Sequence, residues 1–265
     1  MNKINNKYYV TTHTSIPWEI PFPHRIIGVE GYTPEHTNGV AASQSIGRLL
    51  DSETAFGGLR SLMAINKEIE SYDNGQEIFW GSYRLFLSSE TNEDWLSPSL
   101  QENRIISPLD LKTNWSNLIS TEIPSGVDII IPAPRILPDT ILGQYARVHH
   151  LDDLLFAVGC AIRCGLLETI SISKMLESNT LIPYGNFAAC KSLRYEFNDK
   201  LWACALDFYN NYYTPKYGYQ RRVIDFAFER IISMSLIQLI INRKLTCISS
   251  RNIWVSDNGT YTPSQ

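Results

Sequence analysis

Val127-Asp128-Ile129-Ile130-Ile131-Pro132 is the stretch on which the fold turns. A short apolar, β-branched run closed by proline reads as a strand covered on both faces, and such strands belong to parallel sheets flanked by helices. Towards the N-terminus, strand signals alternate with breaks. Lys7-Tyr8-Tyr9-Val10-Thr11-Thr12 is aromatic and β-branched, and a polar stretch with Pro17, Pro21 and Pro23 follows it. Arg25-Ile26-Ile27-Gly28-Val29 predicts a second strand. Ser52 is placed to cap a helix with Ala55, Leu59, Leu62, Met63 and Ile65 on its apolar positions, closing near Asp73-Asn74-Gly75. Glu77 to Leu87 has strand character throughout. Ser88 to Asn117, polar and broken by Pro98 and Pro108, reads as a long excursion over the surface.

Towards the C-terminus the chain turns helical. Helices are predicted from about Thr140, across Leu151 to Leu167, from about Ser192 to Tyr209, and from about Tyr219 to Asn242. Strand character returns at Thr246-Cys247-Ile248 and Asn252-Ile253-Trp254-Val255. This order predicts an α/β protein with a central, mostly parallel sheet, helices on both faces and a helix-rich C-terminal half. The strands beginning near Tyr8, Phe79 and Val127 are expected to lie adjacent in one sheet. With no linker, repeat or low-complexity tract, residues 1–265 are expected to form a single domain. Ligands of such sheets meet the carboxyl ends of the strands. That points to Thr11 to Thr14, to the segment around Tyr83 and Arg84, and to the segment after Ile131.

Composition removes several classes of function. The 265 residues are 44% hydrophobic and 19% charged, enough apolar material for a full core. A net charge of −4 gives no footprint for nucleic acid or for an anionic membrane surface. The start, MNKINNKYYVTTHT, carries Lys3 and Lys7 but no apolar segment of signal-peptide length, so a cytoplasmic protein is expected. The most apolar run, Ile231 to Ile241, is about half of the ~20 residues that span a bilayer and predicts a buried helix. Cys160, Cys164, Cys190, Cys204 and Cys247 are odd in number and lack C-x-x-C spacing, which predicts buried thiols in a reducing compartment. No G-x-x-x-x-G-K-[ST], G-x-G-x-x-G or G-x-S-x-G occurs.

The chemistry-bearing candidates centre on the last long helix, YQRRVIDFAFERIISMSLIQLII. It is apolar nearly all round, yet Arg222, Asp225 and Glu229 share one face with Arg230 beside them. Unpaired charge in a core costs several kcal/mol, so these groups pair, reach water or face a ligand. One reading is an internal salt-bridge cluster. The other makes Arg222 and Arg230 anion clamps and Glu229 a base or an acceptor for sugar hydroxyls. His149-His150, followed by Asp152-Asp153, reads either as metal ligands or as a helix start with acidic first-turn residues. The absence of a D-x-D at a strand end argues against a divalent cation holding a diphosphate. His13 is placed to meet a ligand or simply water. Tyr83-Arg84 offers a ring and a guanidinium to a base and a phosphate, or an ordinary packing pair. Asn186 is a polar turn residue with a structural role as its default.

Taken in order, these segments resemble a family of bacterial glycosyltransferases, long catalogued as a domain of unknown function, from capsule and O-antigen loci. Thr12-His13, Ser52-Glu53-Thr54-Ala55, Gly81-Ser82-Tyr83-Arg84-Leu85-Phe86 and Asp128-Ile129-Ile130-Ile131-Pro132-Ala133-Pro134-Arg135 match its motifs. So do Gln144-Tyr145 with His149 and Asp153-Leu154, Asn186-Phe187 ahead of Trp202, and Tyr219-Gln220-Arg221-Arg222-Val223 with Phe226 and Glu229-Arg230-Ile231. The match covers about residues 7 to 243. The chain departs from the pattern in lacking the H-Y-R-R-Y-F histidine and second arginine, in Gly57-Gly58-Leu59-Arg60, and in Asp225 where the family has glycine.

The resemblance implies a GT-A-like fold, with a nucleotide-sugar-binding half over about 1–135 and a helical acceptor half over about 136–265. It implies transfer of a sugar from a nucleotide-sugar donor, UDP-sugar favoured, to a glycan or lipid-linked glycan at the cytoplasmic face of the inner membrane. It carries over Glu229 as base, Arg222, Arg230 and Arg84 for the diphosphate, and Thr11, Thr12, His13 and Tyr83 for the nucleotide. Gln144, His149, Asn186 and Asp225 go to the pocket, and no cofactor is implied. The departures keep an alternative in view: a non-catalytic nucleotide- or glycan-binding protein that kept the fold.

Overall fold

A computed structural model describes residues 8–35, 38–43, 56–214 and 222–257. The Ser52-Glu53-Thr54-Ala55 and Tyr219-Gln220-Arg221 motifs lie outside the described residues.

The chain opens with β1 (Tyr8–Thr12), β2 (Arg25–Gly28) and β3 (Gly39–Ala41), followed by helix α1 (Arg60–Ile69). Next come β4 (Glu77–Ser82) and β5 (Leu85–Asn92), β6 (Arg104–Ile106) and helix α2 (Pro108–Leu118). The strand expected at Val127 to Pro132 is β7 (Ile129–Pro132). Short strands β8 (Arg135–Ile136), β9 (Thr180–Leu181) and β10 (Ala188–Cys190) are interleaved with helices α3 (Ile141–Val148), α4 (Leu151–Arg163) and α5 (Ile172–Leu176). The two longest helices, α6 (Lys191–Asn211) and α7 (Val223–Arg243), precede the last strand, β11 (Cys247–Val255).

Among the described residues nine strands make one sheet, in which β3-β2-β1-β4 are parallel neighbours and β11 runs parallel to β7. Between these two parallel sets lies β10, antiparallel to both β4 and β7. The strands at Tyr8 and Phe79 are therefore neighbours as expected, but β7 is one strand further away than the sequence suggested. The antiparallel β5 and the parallel β6 extend the sheet along β11.

Alternation along β7 shows why its sequence is apolar throughout. Ile129 and Ile131 enter one core, with α1, α4, α6 and α7, while Ile130 enters the other, with β5 and α2. Helices thus cover both faces, one face far more heavily. The helix α7 is buried along most of its length, including Ile224, Phe228 and Ile231 at 0% exposure. Deleting the Phe228 ring would cost about 3–5 kcal/mol.

Two expectations need correction. The single strand run at Glu77 to Leu87 is a hairpin, turned at Tyr83-Arg84 between β4 and β5. The surface excursion from Ser88 to Asn117 holds the rest of β5, β6 and most of α2. Ser107 caps α2 through the Asp110 N–H, with Pro108 in the first turn and the Asp110 carboxylate returning to the Ser107 N–H.

Candidate active site at the carboxyl edge of the sheet

The carboxyl ends of β1, β2 and β4 fall together, since Thr12 pairs with Gly28 and Thr11 with Ser82. The ends of β7 and β11 point the same way, with Ser250 opposite Pro132. Three groups of candidate residues lie along this edge.

The first is the start of α7. Arg230, 5% exposed, donates from Nη2 to Gln144 Oε1 at 2.8 Å and from Nη1 to Glu229 Oε2 and to the Phe226 carbonyl. Gln144 stands on α3, so this guanidinium ties α3 to α7. Its planar fork suits the task, since one head reaches three acceptors in different directions. The second oxygen of Glu229, Oε1, accepts the Tyr184 N–H at 3.1 Å. One quarter of the Glu229 side chain remains exposed. His149 ends α3 and is sandwiched: it stacks on Phe226 at 4.3 Å and tilts against Tyr145 at 4.7 Å.

Two turns earlier, the half-exposed Arg222 pairs with Asp225 at 3.1 Å and lies over Phe226. Burial pushes the Asp225 carboxyl above the usual carboxylate range. The Arg222 charge opposes that shift, while the charges of Glu30 and Glu229 add to it. Glu30 follows β2 in a left-handed conformation (φ 54°), next to Val29, whose N–H donates to the Thr12 carbonyl. The start of α7 and the ends of β1 and β2 are thereby neighbours.

The second group was missed as a site, although Arg135 and Trp254 stand in segments already quoted. Arg135, just beyond β7, donates to the Tyr184 hydroxyl at 2.6 Å and lies over the Tyr184 ring. Trp254 of β11 meets the same ring edge-on. Asn103 Nδ2 donates to the Tyr184 hydroxyl at 3.3 Å, and with the amide turned over its oxygen accepts instead from Trp254 Nε1 and Arg135. Tyr184 therefore carries two functions, its ring in this cation–aromatic group and its N–H on Glu229. It adopts φ 65°, and Gly185 follows at φ 68°. A Cβ on Gly185 would come within 3.0 Å of Ile232, so glycine is required there for both reasons. Asn186, 2% exposed, donates to Asn252 Oδ1 of β11. Beyond the turn-forming sequence Pro183-Tyr184-Gly185, no signal would have selected Tyr184, because its partners come from three distant segments.

The third group contains the strand-end residues. Thr11 and Thr12 are buried: Thr11 Oγ1 accepts from Trp80 Nε1 at 2.8 Å, and Thr12 Oγ1 donates to the Thr14 carbonyl. His13 is exposed and meets Tyr83 edge-on at 6.2 Å. The Tyr83 ring, 5% exposed, stacks on Trp18 and carries Arg84 over its face, leaving little surface for a ligand. Among the described residues no hydrogen bond, ion pair or ring contact joins this group to Arg222, Glu229 or Arg230. Asp152 and Asp153 occupy the first turn of α4. Among the described residues no three His, Cys, Asp or Glu side chains come together as metal ligands do.

No protein-family model matches the chain, and no curated protein matches it. Among solved structures it is similar to the apo structure of WbbM, a bifunctional glycosyltransferase, with a TM-score of 0.71 at 15% identity. The likeness covers 98% of this chain and 47% of that one, so the chain spans about half the length of the structure it matches. At that identity the likeness shows the fold: α/β, GT-A-like, with its mostly parallel central sheet. Among the described residues no helix is long and apolar enough to cross a membrane.

Proposed function

We propose that the chain is a glycosyltransferase that moves a sugar from a nucleotide-sugar donor, UDP-sugar favoured, to a glycan acceptor. The observation that carries this reading is the position of Glu229. In a fold shared with a glycosyltransferase over 98% of the chain, a half-buried carboxylate with two fixed donors stands at the carboxyl edge of the sheet.

In the proposed reaction the acceptor hydroxyl oxygen attacks the anomeric carbon and gives its proton to Glu229. A new C–O bond forms as the bond to the diphosphate breaks, and the nucleoside diphosphate leaves with the electron pair. Arg222 and Arg84, both solvent-reachable, stabilise the departing charge. Arg230, committed to Glu229 and Gln144, holds the base in place. Thr11, Thr12, His13 and Tyr83 shape the nucleotide side, and Gln144, His149, Asn186 and Asp225 the pocket. No metal or other cofactor is assigned a part.

On this reading residues 1–265 act as one domain, with a donor half over about 1–135 and an acceptor half over about 136–265. β10 and β11 from the second half complete the sheet of the first. The setting proposed is bacterial capsule or O-antigen synthesis in the cytoplasm, on lipid-linked glycans at the inner membrane. The packed Tyr83 favours a second reading, a nucleotide- or glycan-binding protein without turnover. Melting curves with UDP, followed by release of UDP from UDP-galactose, UDP-glucose and UDP-N-acetylglucosamine with and without glycan acceptors, separate the two. A UDP-induced rise in Tm with turnover supports the transferase. A rise without turnover supports a nucleotide binder, and no rise contradicts the transferase.

A further inference from the structure

Away from the carboxyl edge, α6 and α7 line a partly open cavity of about 180 Å³ beneath the turn at Gly165–Glu168. It borders the last three turns of α7, and Gln238 on its wall is nine residues beyond Glu229, roughly 13 Å along the helix. Nothing in the proposed transfer uses it.

The cavity has a polar group without a partner. Ser235 is 2% exposed, borders the cavity, and its hydroxyl makes no hydrogen bond among the described residues. A helical serine ordinarily bonds back to the carbonyl four residues earlier. Here that bond is absent, and a buried hydroxyl left unpaired is destabilising until something in the cavity bonds to it. Beside it, the Gln238 amide oxygen is taken by the Glu168 N–H and Ser171 Oγ, while its Nε2 reaches the Leu166 carbonyl only at 3.5 Å. That N–H is available to a better acceptor.

The surrounding charges decide what kind of ligand fits. Lys200 and Arg243 both bond to Glu196, at 2.9 and 2.6 Å, and Asn242 bonds to Glu168 at 2.9 Å. Two cations face two carboxylates, so the rim is neutral and favours neither an anion nor a cation. The Phe197 ring supplies an apolar wall. The volume equals roughly six waters at ~30 Å³ each, well below the ~300 Å³ at which drug-sized ligands begin to fit. A nucleotide is excluded by size and charge. A single ring bearing hydroxyls, with one apolar face for Phe197 and hydroxyls for Ser235 and Gln238, fits both.

We propose that this cavity is a secondary binding site for one neutral sugar unit, separate from the carboxyl-edge site. It does not depend on the chain being a transferase, since the sugar binds without donor or turnover. The test is saturation-transfer NMR of the full chain with methyl α-D-galactoside and methyl α-D-glucoside at millimolar concentration, with and without saturating UDP. The expected result is binding of at least one glycoside that UDP does not displace. Ser235→Ala is expected to weaken it about 3- to 10-fold, the loss of one hydrogen bond. Its Tm should match or exceed that of the parent protein, because the hydroxyl it removes is unpaired. Leu239→Phe, which narrows the cavity without touching the hydroxyl, should also weaken binding. No saturation transfer to either glycoside, displacement by UDP, or unchanged affinity in both variants would overturn the proposal.

Discussion

The backbone N–H of Tyr184 and the carboxylate of Glu229 are joined at 3.1 Å, forty-five residues apart in sequence. The bond needs a tyrosine in the left-handed region, where a side chain costs roughly 1–2 kcal/mol. The turn is held by Gly185 against Ile232, by Arg135 on the tyrosine hydroxyl and by Trp254 on its ring. Strain kept in place by this many contacts is characteristic of functional turns. Here it fixes the orientation of one carboxylate at the carboxyl edge of the sheet.

Arg230 is the structural partner of that carboxylate, and its removal leaves Gln144 without this donor and Glu229 with the Tyr184 N–H alone. Arg230→Met is expected to lower stability by about 3 kcal/mol, the cost of breaking a largely buried ion pair. Urea unfolding measures it. Adding Glu229→Gln to Arg230→Met should recover part of the loss, since the stranded charge is then gone. A loss below 1 kcal/mol would mean the pair contributes little.

Arg222 behaves differently because it is half exposed and its partner Asp225 lies three residues along the same helix. Arg222→Ala should leave Tm almost unchanged, as exposed pairs contribute only ~0.2–1 kcal/mol. If Arg222 meets the diphosphate, calorimetry should show UDP binding weakened about tenfold, the loss of one charge-assisted hydrogen bond. Unchanged UDP affinity would remove Arg222 from the donor site.

The Glu196 carboxyl is held down from 4.5 to about 2 by hydrogen bonds from Arg243 and Lys200. A carboxyl lowered on folding adds stability that is complete above its unfolded pKa and lost as pH falls through the folded one. The contribution should therefore be full above about pH 4.5 and gone near pH 2. Because the side chain is 40% exposed, solvent screening limits it to roughly 0.5 kcal/mol. Glu196→Gln should lower stability by that amount near neutrality and match the parent near pH 2, so that the acid limb of its stability-versus-pH curve is flatter.

In the proposed transfer Arg222 and Arg84, rather than a metal, meet the charge of the departing diphosphate. We expect turnover to survive EDTA with less than a twofold change. Abolition by EDTA with recovery on adding Mn²⁺ or Mg²⁺ would show that a metal supplies the charge instead.

The parts of this architecture legible in the sequence are those written in local pattern. The β7 run is apolar because its residues alternate between two cores, and charges on an otherwise apolar α7 marked Glu229 and Arg230 for pairing. The strand β10 was illegible because Ala188-Ala189-Cys190 has no strand propensity; it is placed by pairing with Phe79 and Ile130, far away in the chain. The hairpin at Tyr83-Arg84 has no glycine or asparagine to announce its turn. For α2 the capping sequence was present, but only Leu111 and Leu118 are buried, too few to show a helical period. Tyr184 and Arg135 acquire their role only when β7, α7 and β11 converge.

The most direct test of the account is the rate at which Glu229→Gln transfers sugar, measured beside its affinity for UDP. The substitution keeps the shape and the Tyr184 contact while removing the carboxylate that takes the acceptor proton. The account predicts a fall in turnover of ~10²–10⁴-fold with UDP affinity within about twofold of the parent. Turnover at the parental rate, or a chain that no longer folds, would make the Glu229 cluster structural and contradict the account.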